Sequence, residues 1–143
     1  MTLTYSPANA KLRKLSKAYS MRPWLSDGRK VYSLDMLSGW SCPFASQCLS
    51  KVHTGADGKR FVVDGKVTLF RCFSASQEAV YTESYKMRLR NFNVLRQAKS
   101  TSAMVDRLTE ALPARAGVVR LHVAGDIFSP HYFKALTELA RLN

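Results

Sequence analysis

No stretch of this sequence approaches the ~20 uninterrupted apolar residues that a bilayer-spanning helix needs, so no helix is expected to cross a membrane. The first residues, Met1 to Pro7, lack the basic-then-apolar pattern of a secretory signal, and a cytoplasmic location is the expectation that follows. Cysteine is sparse and odd in number: three in 143 residues, which leaves at least one without an intramolecular partner. Thiols in cytosol stay reduced, so a disulfide framework is disfavoured and metal binding becomes the leading use of these residues. Acid is scarce as well. Ten Asp and Glu face 22 Lys and Arg, a formal charge of +12. The imbalance is local, because from Ser100 onward five basic residues meet four acidic ones. The first hundred residues therefore carry nearly all of the excess, and a field of that sign attracts polyanions, nucleic acid foremost.

What is present is organised around Ser33 to Phe73. Cys42-Pro43 and Cys48 lie in one loop opened by Gly39, and Cys72 follows after an excursion. Thiolate sulfur selects zinc, copper(I) or iron–sulfur clusters. Three thiolates is a telling number, since a cubane cluster takes four ligands and three leave one iron open. The third sulfur can return because Phe61 to Val63 and Lys66 to Phe70 flank Asp64-Gly65, the pattern of a tight β-hairpin whose ends meet. His53 offers a second solution, completing a Cys₃His tetrahedron for structural zinc. A third solution is a globular protein whose cysteines are unconnected.

The chain is read as a single domain over 1–143, at this length able to bury ~70% of its unfolded surface. Its parts are a basic segment over 1–30, the cysteine loop with hairpin over 33–73, and helices with a β/α unit over 74–143. Ser6-Pro7 is expected to open a helix with Leu12, Leu15 and Tyr19 on its apolar face. Lys11, Arg13, Lys14 and Lys17 then line its polar side, available to phosphates or to an anionic membrane surface, or simply solvated while the apolar stripe packs on the body. Lys30 to Leu34 reads as the first strand. Ser74 to Gln77 fits a capping box opening a helix that runs to about Ala98, with Tyr81, Tyr85, Leu89, Phe92 and Leu95 as its seam. Arg88, Arg90 and Arg96 on that helix join the nucleic-acid candidates, beside aromatics on which bases could stack. Thr101 to Leu112 is a further helix. Gly117 to Val123 alternates as a strand, with Arg120 and His122 on one face. Gly125-Asp126 ends it before a helix from Ser129-Pro130. Ligands gather beyond the carboxyl ends of strands in such units, which makes Gly125, Asp126, Arg120 and His122 the cofactor-binding candidates. Asp126 also has a purely structural reading, as the cap of its own turn.

The expected fold class is α/β, a partial (β/α) barrel or open β/α unit with an inserted β-hairpin. A full barrel takes ~250 residues, so the chain supplies about half of one and is expected to be truncated at its C-terminus.

Taken together, these residues resemble the bacteriophage family known as gene product 88. The resemblance rests on Asn9 to Leu12, Ser33 to Cys48 with Gly39 and Cys42, Arg71-Cys72, Glu78, Asn91, and Arg120 to Ser129 followed by Tyr132. The arrangement of an early strand, a cysteine loop and β/α units is similar by analogy to radical S-adenosylmethionine enzymes. That similarity implies Cys42, Cys48 and Cys72 on a four-iron cluster, with S-adenosylmethionine on the open iron. The separation of Cys72 by the hairpin departs from that superfamily's tight spacing. A phage origin and the basic first hundred residues together imply a nucleic acid or nucleotide as substrate, in the host cytoplasm. The zinc solution implies a nucleic-acid-binding module without catalysis.

Overall fold

The structure, a computed structural model, describes Met1–Asn143. Its centre is a three-stranded sheet ordered β1-β2-β5, with β1 at Ser6–Pro7, β2 at Lys30–Leu34 and β5 at Ala116–Leu121. Strands β2 and β5 are parallel, with Tyr32 opposite Val119 and Leu34 opposite Leu121. A parallel pair needs a long crossover, and everything between the two strands supplies it. The crossover contains a two-stranded sheet of β3 (Lys51–Thr54) and β4 (Arg60–Val63). It continues through helices α3 (Phe73–Val80), α4 (Thr82–Gln97) and α5 (Thr101–Ala111). Helix α6 (Pro130–Leu142) follows β5 and packs against α5. Two one-turn helices, α1 (Ala10–Arg13) and α2 (Arg22–Leu25), lie between β1 and β2. The architecture is mixed α/β with no closed barrel. No helix is long and apolar enough to cross a membrane.

Leu34, Met36, Leu95, Leu108 and Tyr132 are fully enclosed and join Leu3, Tyr5, Phe92, Leu136 and Leu139 in one core. Three polar clusters inside it are hydrogen-bonded, as burial demands. The Asn91 amide donates to the carbonyls of Thr4 and Asp35 and accepts from the Thr4 N–H. The Tyr5 hydroxyl donates to the Leu108 carbonyl. Glu78 receives the Ser38 N–H, the Ser38 hydroxyl and Arg88, all on one carboxylate oxygen.

Three local expectations are corrected. Ser6-Pro7 does not open a helix: it pairs antiparallel with Ser33 and Tyr32 at the sheet edge, where proline's missing N–H is tolerated. Asn9 caps the short α1 instead, accepting from the Leu12 N–H. Asp64-Gly65 does not turn the hairpin. The turn is Gly55–Lys59, with Gly58 in the left-handed region and the Asp57 carboxylate on the Lys59 N–H. Pairing joins β4 to Lys51–Thr54, which buries Val52, while Lys66 to Phe70 forms no strand. The expected long helix is two helices broken at Tyr81, and Ser74 spends its hydroxyl on the Val123 carbonyl rather than on a cap. Arg60 of β4 explains the break. Its Nε donates to the Glu78 carbonyl, which a continuous helix would have paired with the Thr82 N–H, and its Nη2 donates to the Thr82 hydroxyl.

Candidate functional site

Beyond Leu34 and Leu121 the two parallel strands continue side by side as irregular backbone. The His122 N–H donates to the Leu34 carbonyl, and the Met36 N–H donates to the Ala124 carbonyl. The carboxylate of Asp35, itself buried, accepts the Val123 N–H at 2.9 Å across this seam. The seam carries the cysteine loop. Ser41 donates its hydroxyl to the Leu37 carbonyl and accepts the Asp126 N–H, tying the loop to the turn after β5.

Glycine is required twice here. Gly125 has φ +80°, and a Cβ on it would lie 2.5 Å from both Met36 Cβ and Ser41 Oγ. Gly39 has φ +71°, and a Cβ there would strike the Ser50 carbonyl. The loop therefore docks between the turn after β5 and the start of β3 at a distance only backbone allows.

Cys42, Cys48 and Cys72 are all free and half-buried. The returning segment is fastened along the cysteine loop by two bonds. The Leu69 N–H donates to the Gln47 carbonyl, and the Cys72 N–H donates to the Ser50 hydroxyl. Ser50 in turn donates to Asp64, which Arg71 holds in an ion pair of 2.6 Å. Asp64, expected in a turn, is thus the peg of this return. Burial pushes the Cys42 and Cys48 thiols up from the ordinary cysteine range. The neighbouring Cys72 and Asp126 charges push them in the same direction, so all three sulfurs and Asp126 share one electrostatic neighbourhood. No group of three metal-binding side chains stands close enough to hold an ion as they lie. The donor type alone, reduced cysteine sulfur, suits a soft metal. His53 stands apart from them, its ring 5.3 Å from Trp40 and stacked at 6.2 Å on Phe61.

The remaining site candidates divide. His122 does not share a strand face with Arg120, because β5 ends at Leu121 and His122 takes φ +55°. A non-glycine residue in that region stores strain and marks a place where the surroundings over-determine the backbone. Its ring turns inward, with Nε2 3.0 Å from the Tyr132 hydroxyl. Burial holds His122 below the ordinary histidine range against the opposing pull of Asp126 and Asp35, and burial raises Tyr132 far above the usual phenol range. Arg120 stays exposed. Asp126 is exposed, and its carboxylate accepts the Ile127 N–H.

Among the nucleic-acid candidates, Lys11, Arg13, Lys14, Lys17 and Arg96 are exposed. Arg96 lies over the Phe92 ring, and Arg90 is half-buried against the Thr4 hydroxyl. Arg88 is a correction: it is buried, bonded to Glu78 at 3.1 Å, and presents nothing to a ligand. Asp35, Ser41, Ser50 and Tyr132 escaped the sequence reading as site residues. The one signal for Asp35 was its place directly after a strand.

The family model for gene product 88 matches residues 2–143. The chain therefore belongs to the gene product 88 family. Comparison with curated proteins and with solved structures found no match.

Proposed function

We propose that this chain is a metal-centred phage protein, an iron–sulfur enzyme of the radical S-adenosylmethionine kind that acts on nucleic acid or a nucleotide. The observation that carries the reading is the return of Cys72, 24 positions beyond Cys48 in the numbering, alongside the cysteine loop, where its N–H donates to the Ser50 hydroxyl and the Leu69 N–H donates to the Gln47 carbonyl. The neighbourhood lies at the carboxyl ends of a parallel strand pair, where ligands of α/β proteins gather.

In this reading Cys42, Cys48 and Cys72 would hold the cluster. A cluster with an open iron supplies one-electron chemistry to a bound cofactor. The backbone turn at Gly125-Asp126 and the Asp35 carboxylate orient what binds beside it. The His122–Tyr132 pair keeps a proton between Nε2 and the phenol oxygen. Because burial favours the neutral thiols of Cys42 and Cys48, loading releases protons and proceeds further as pH rises.

Anaerobic purification followed by iron, sulfide and zinc analysis tests the proposal. Brown protein with iron and labile sulfide in equal amounts is the expected result, lost in Cys72→Ser. Stoichiometric zinc without iron overturns it in favour of a zinc-stabilised binding module. That outcome would require His53 to leave its place between Trp40 and Phe61.

A further inference from the structure

At the amino end of β2, the opposite end from the cysteines, lies a cleft of about 600 Å³. Arg13, Arg29 and Lys30 line it together with Ser16, Leu25 and Tyr32, and no acidic side chain does. None of the three cations takes part in an ion pair of the protein. Their segment is one-sided in charge. Between Met1 and Leu34 seven Lys and Arg face a single acid, Asp27. Three uncompensated cations around one concavity repel each other and lower their energy together only when an anion enters. The floor is different in kind, since Leu25 and Val31 are buried apolar residues.

Two large aromatics stand exposed on the same segment, Tyr19 at 78% and Trp24 at 52%. The Arg22 guanidinium sits 4.9 Å from the Tyr19 ring centre. The segment that supplies the cations of the cleft thus also carries exposed rings, one of them against Arg22, the pairing of stacking platform and electrostatic track that single strands use. Lys11, Lys14 and Lys17 carry the charge beyond the cleft along the neighbouring short helices. A free mononucleotide has no use for that extension; a strand with successive phosphates does.

We propose that this cleft binds the backbone of single-stranded nucleic acid, with a phosphate among Arg13, Arg29 and Lys30 and bases against Tyr19 and Trp24. The proposal rests on the nucleic-acid half of the reading above and is independent of the metal.

The test uses the full chain and a fluorescein-labelled 12-nucleotide poly-dT strand, followed by anisotropy over rising potassium chloride. Single-strand binding loses about 0.7 in the log–log salt slope per phosphate contact. Removing three contacts by Arg13→Ala, Arg29→Ala and Lys30→Ala together is expected to reduce the slope by about 2 and to weaken binding at least about ten-fold at low salt. Lys59→Ala, Lys99→Ala and Lys134→Ala together remove the same charge from exposed positions elsewhere and are expected to change affinity less than about two-fold. Equal losses in the two triple variants would overturn the cleft and leave only diffuse attraction to a basic protein. Tyr19→Ala with Trp24→Ala is expected to weaken the strand and leave binding to the matching duplex unchanged. Tighter binding to anionic phosphatidylserine vesicles than to the strand would overturn the choice of partner. The cysteine-free Ser variant separates the two proposals, because it is expected to bind the strand as the parent does while holding no iron. The cleft variant is expected to keep iron and sulfide at the parent's level.

Discussion

Strand β2 is five residues long, yet its two ends are built on different principles. At its carboxyl end buried polar side chains are bonded to one another and to backbone, although Glu78 Oε2 and Arg88 Nε lack partners. Asp35 takes a backbone N–H, Asn91 spans Thr4 and Asp35, Glu78 gathers Ser38 and Arg88, and two left-handed glycines let loops meet at contact distance. At its amino end, Arg13, Arg29 and Lys30 line an open cleft without ion pairs, and the only left-handed glycine there, Gly28, has open space around it. The difference separates precision from attraction. Bonded, enclosed backbone can hold sulfurs, a histidine and a carboxylate in fixed relation, as chemistry requires. Unpaired surface charge attracts over distance but orients weakly.

That contrast breaks most sharply at the buried ion pair. Arg88→Met leaves the enclosed Glu78 carboxyl without its cation, and losing one partner of such a pair costs about 3–5 kcal/mol. Arg29→Met, on the exposed side, is expected to stay within about 0.5 kcal/mol. Urea unfolding of both variants checks the pair, and equal effects would show the two ends to be alike. Burial raises the Glu78 carboxyl, so its protonated form is the one the fold favours. Its contribution is therefore present at low pH and lost as pH rises through the raised value, a loss expected to steepen in Arg88→Met.

The glycines sharpen the contrast at smaller scale. Gly28→Ala meets nothing nearer than 4.0 Å and pays only left-handed strain, about 1–2 kcal/mol. Gly125→Ala carries the same strain and adds a Cβ at 2.5 Å from Met36 and Ser41, for a further ~1–3 kcal/mol. Thermal unfolding that ranks Gly28→Ala as the more damaging would contradict the close docking of the cysteine loop.

The smallest expected effect is on pH dependence. Burial depresses His122, while Asp126 and Asp35 oppose the depression. A depressed histidine contributes stability that is fully present above its ordinary pKa and is lost as pH falls through its folded value. His122→Asn tolerates the left-handed backbone and is expected to flatten the acid limb of the stability profile. An unchanged limb would place the titrating group elsewhere.

Much of this frame is legible in residue pattern. Lys30 to Leu34 and Gly117 to Val123 read as strands by β-branched and alternating residues, the second stopping two residues early at Leu121, and α5 and α6 read as helices by their apolar spacing. Asn91 and Glu78, which carry part of the family resemblance, prove to be buried polar anchors rather than ligand groups. What stayed hidden was decided by distant partners. Ser6-Pro7 has the chemistry of a helix cap, but Ser33 and Tyr32 offer it a sheet edge. Two Asp-Gly pairs compete for one hairpin; Arg71 and Ser50 claim Asp64, and the turn forms at Asp57-Gly58. Arg88 looks like its neighbours on a basic helix until Glu78, ten residues earlier on a separate helix, is seen beneath it. At the site, the cysteines and Asp126 were visible as types, whereas the inward turn of His122 onto Tyr132 depends on a single positive φ that no spacing rule announces.

The claim on which the rest depends is that the sulfur of Cys72 meets the other two. Three variants, each retaining two of the three cysteines, can be treated with a short bifunctional thiol reagent in the absence of metal. Rapid intramolecular bridging of Cys72 to Cys42 and of Cys72 to Cys48 is the predicted result, at a rate independent of protein concentration. Single-ended labelling of Cys72 in both of its variants, with no bridge formed, would contradict it.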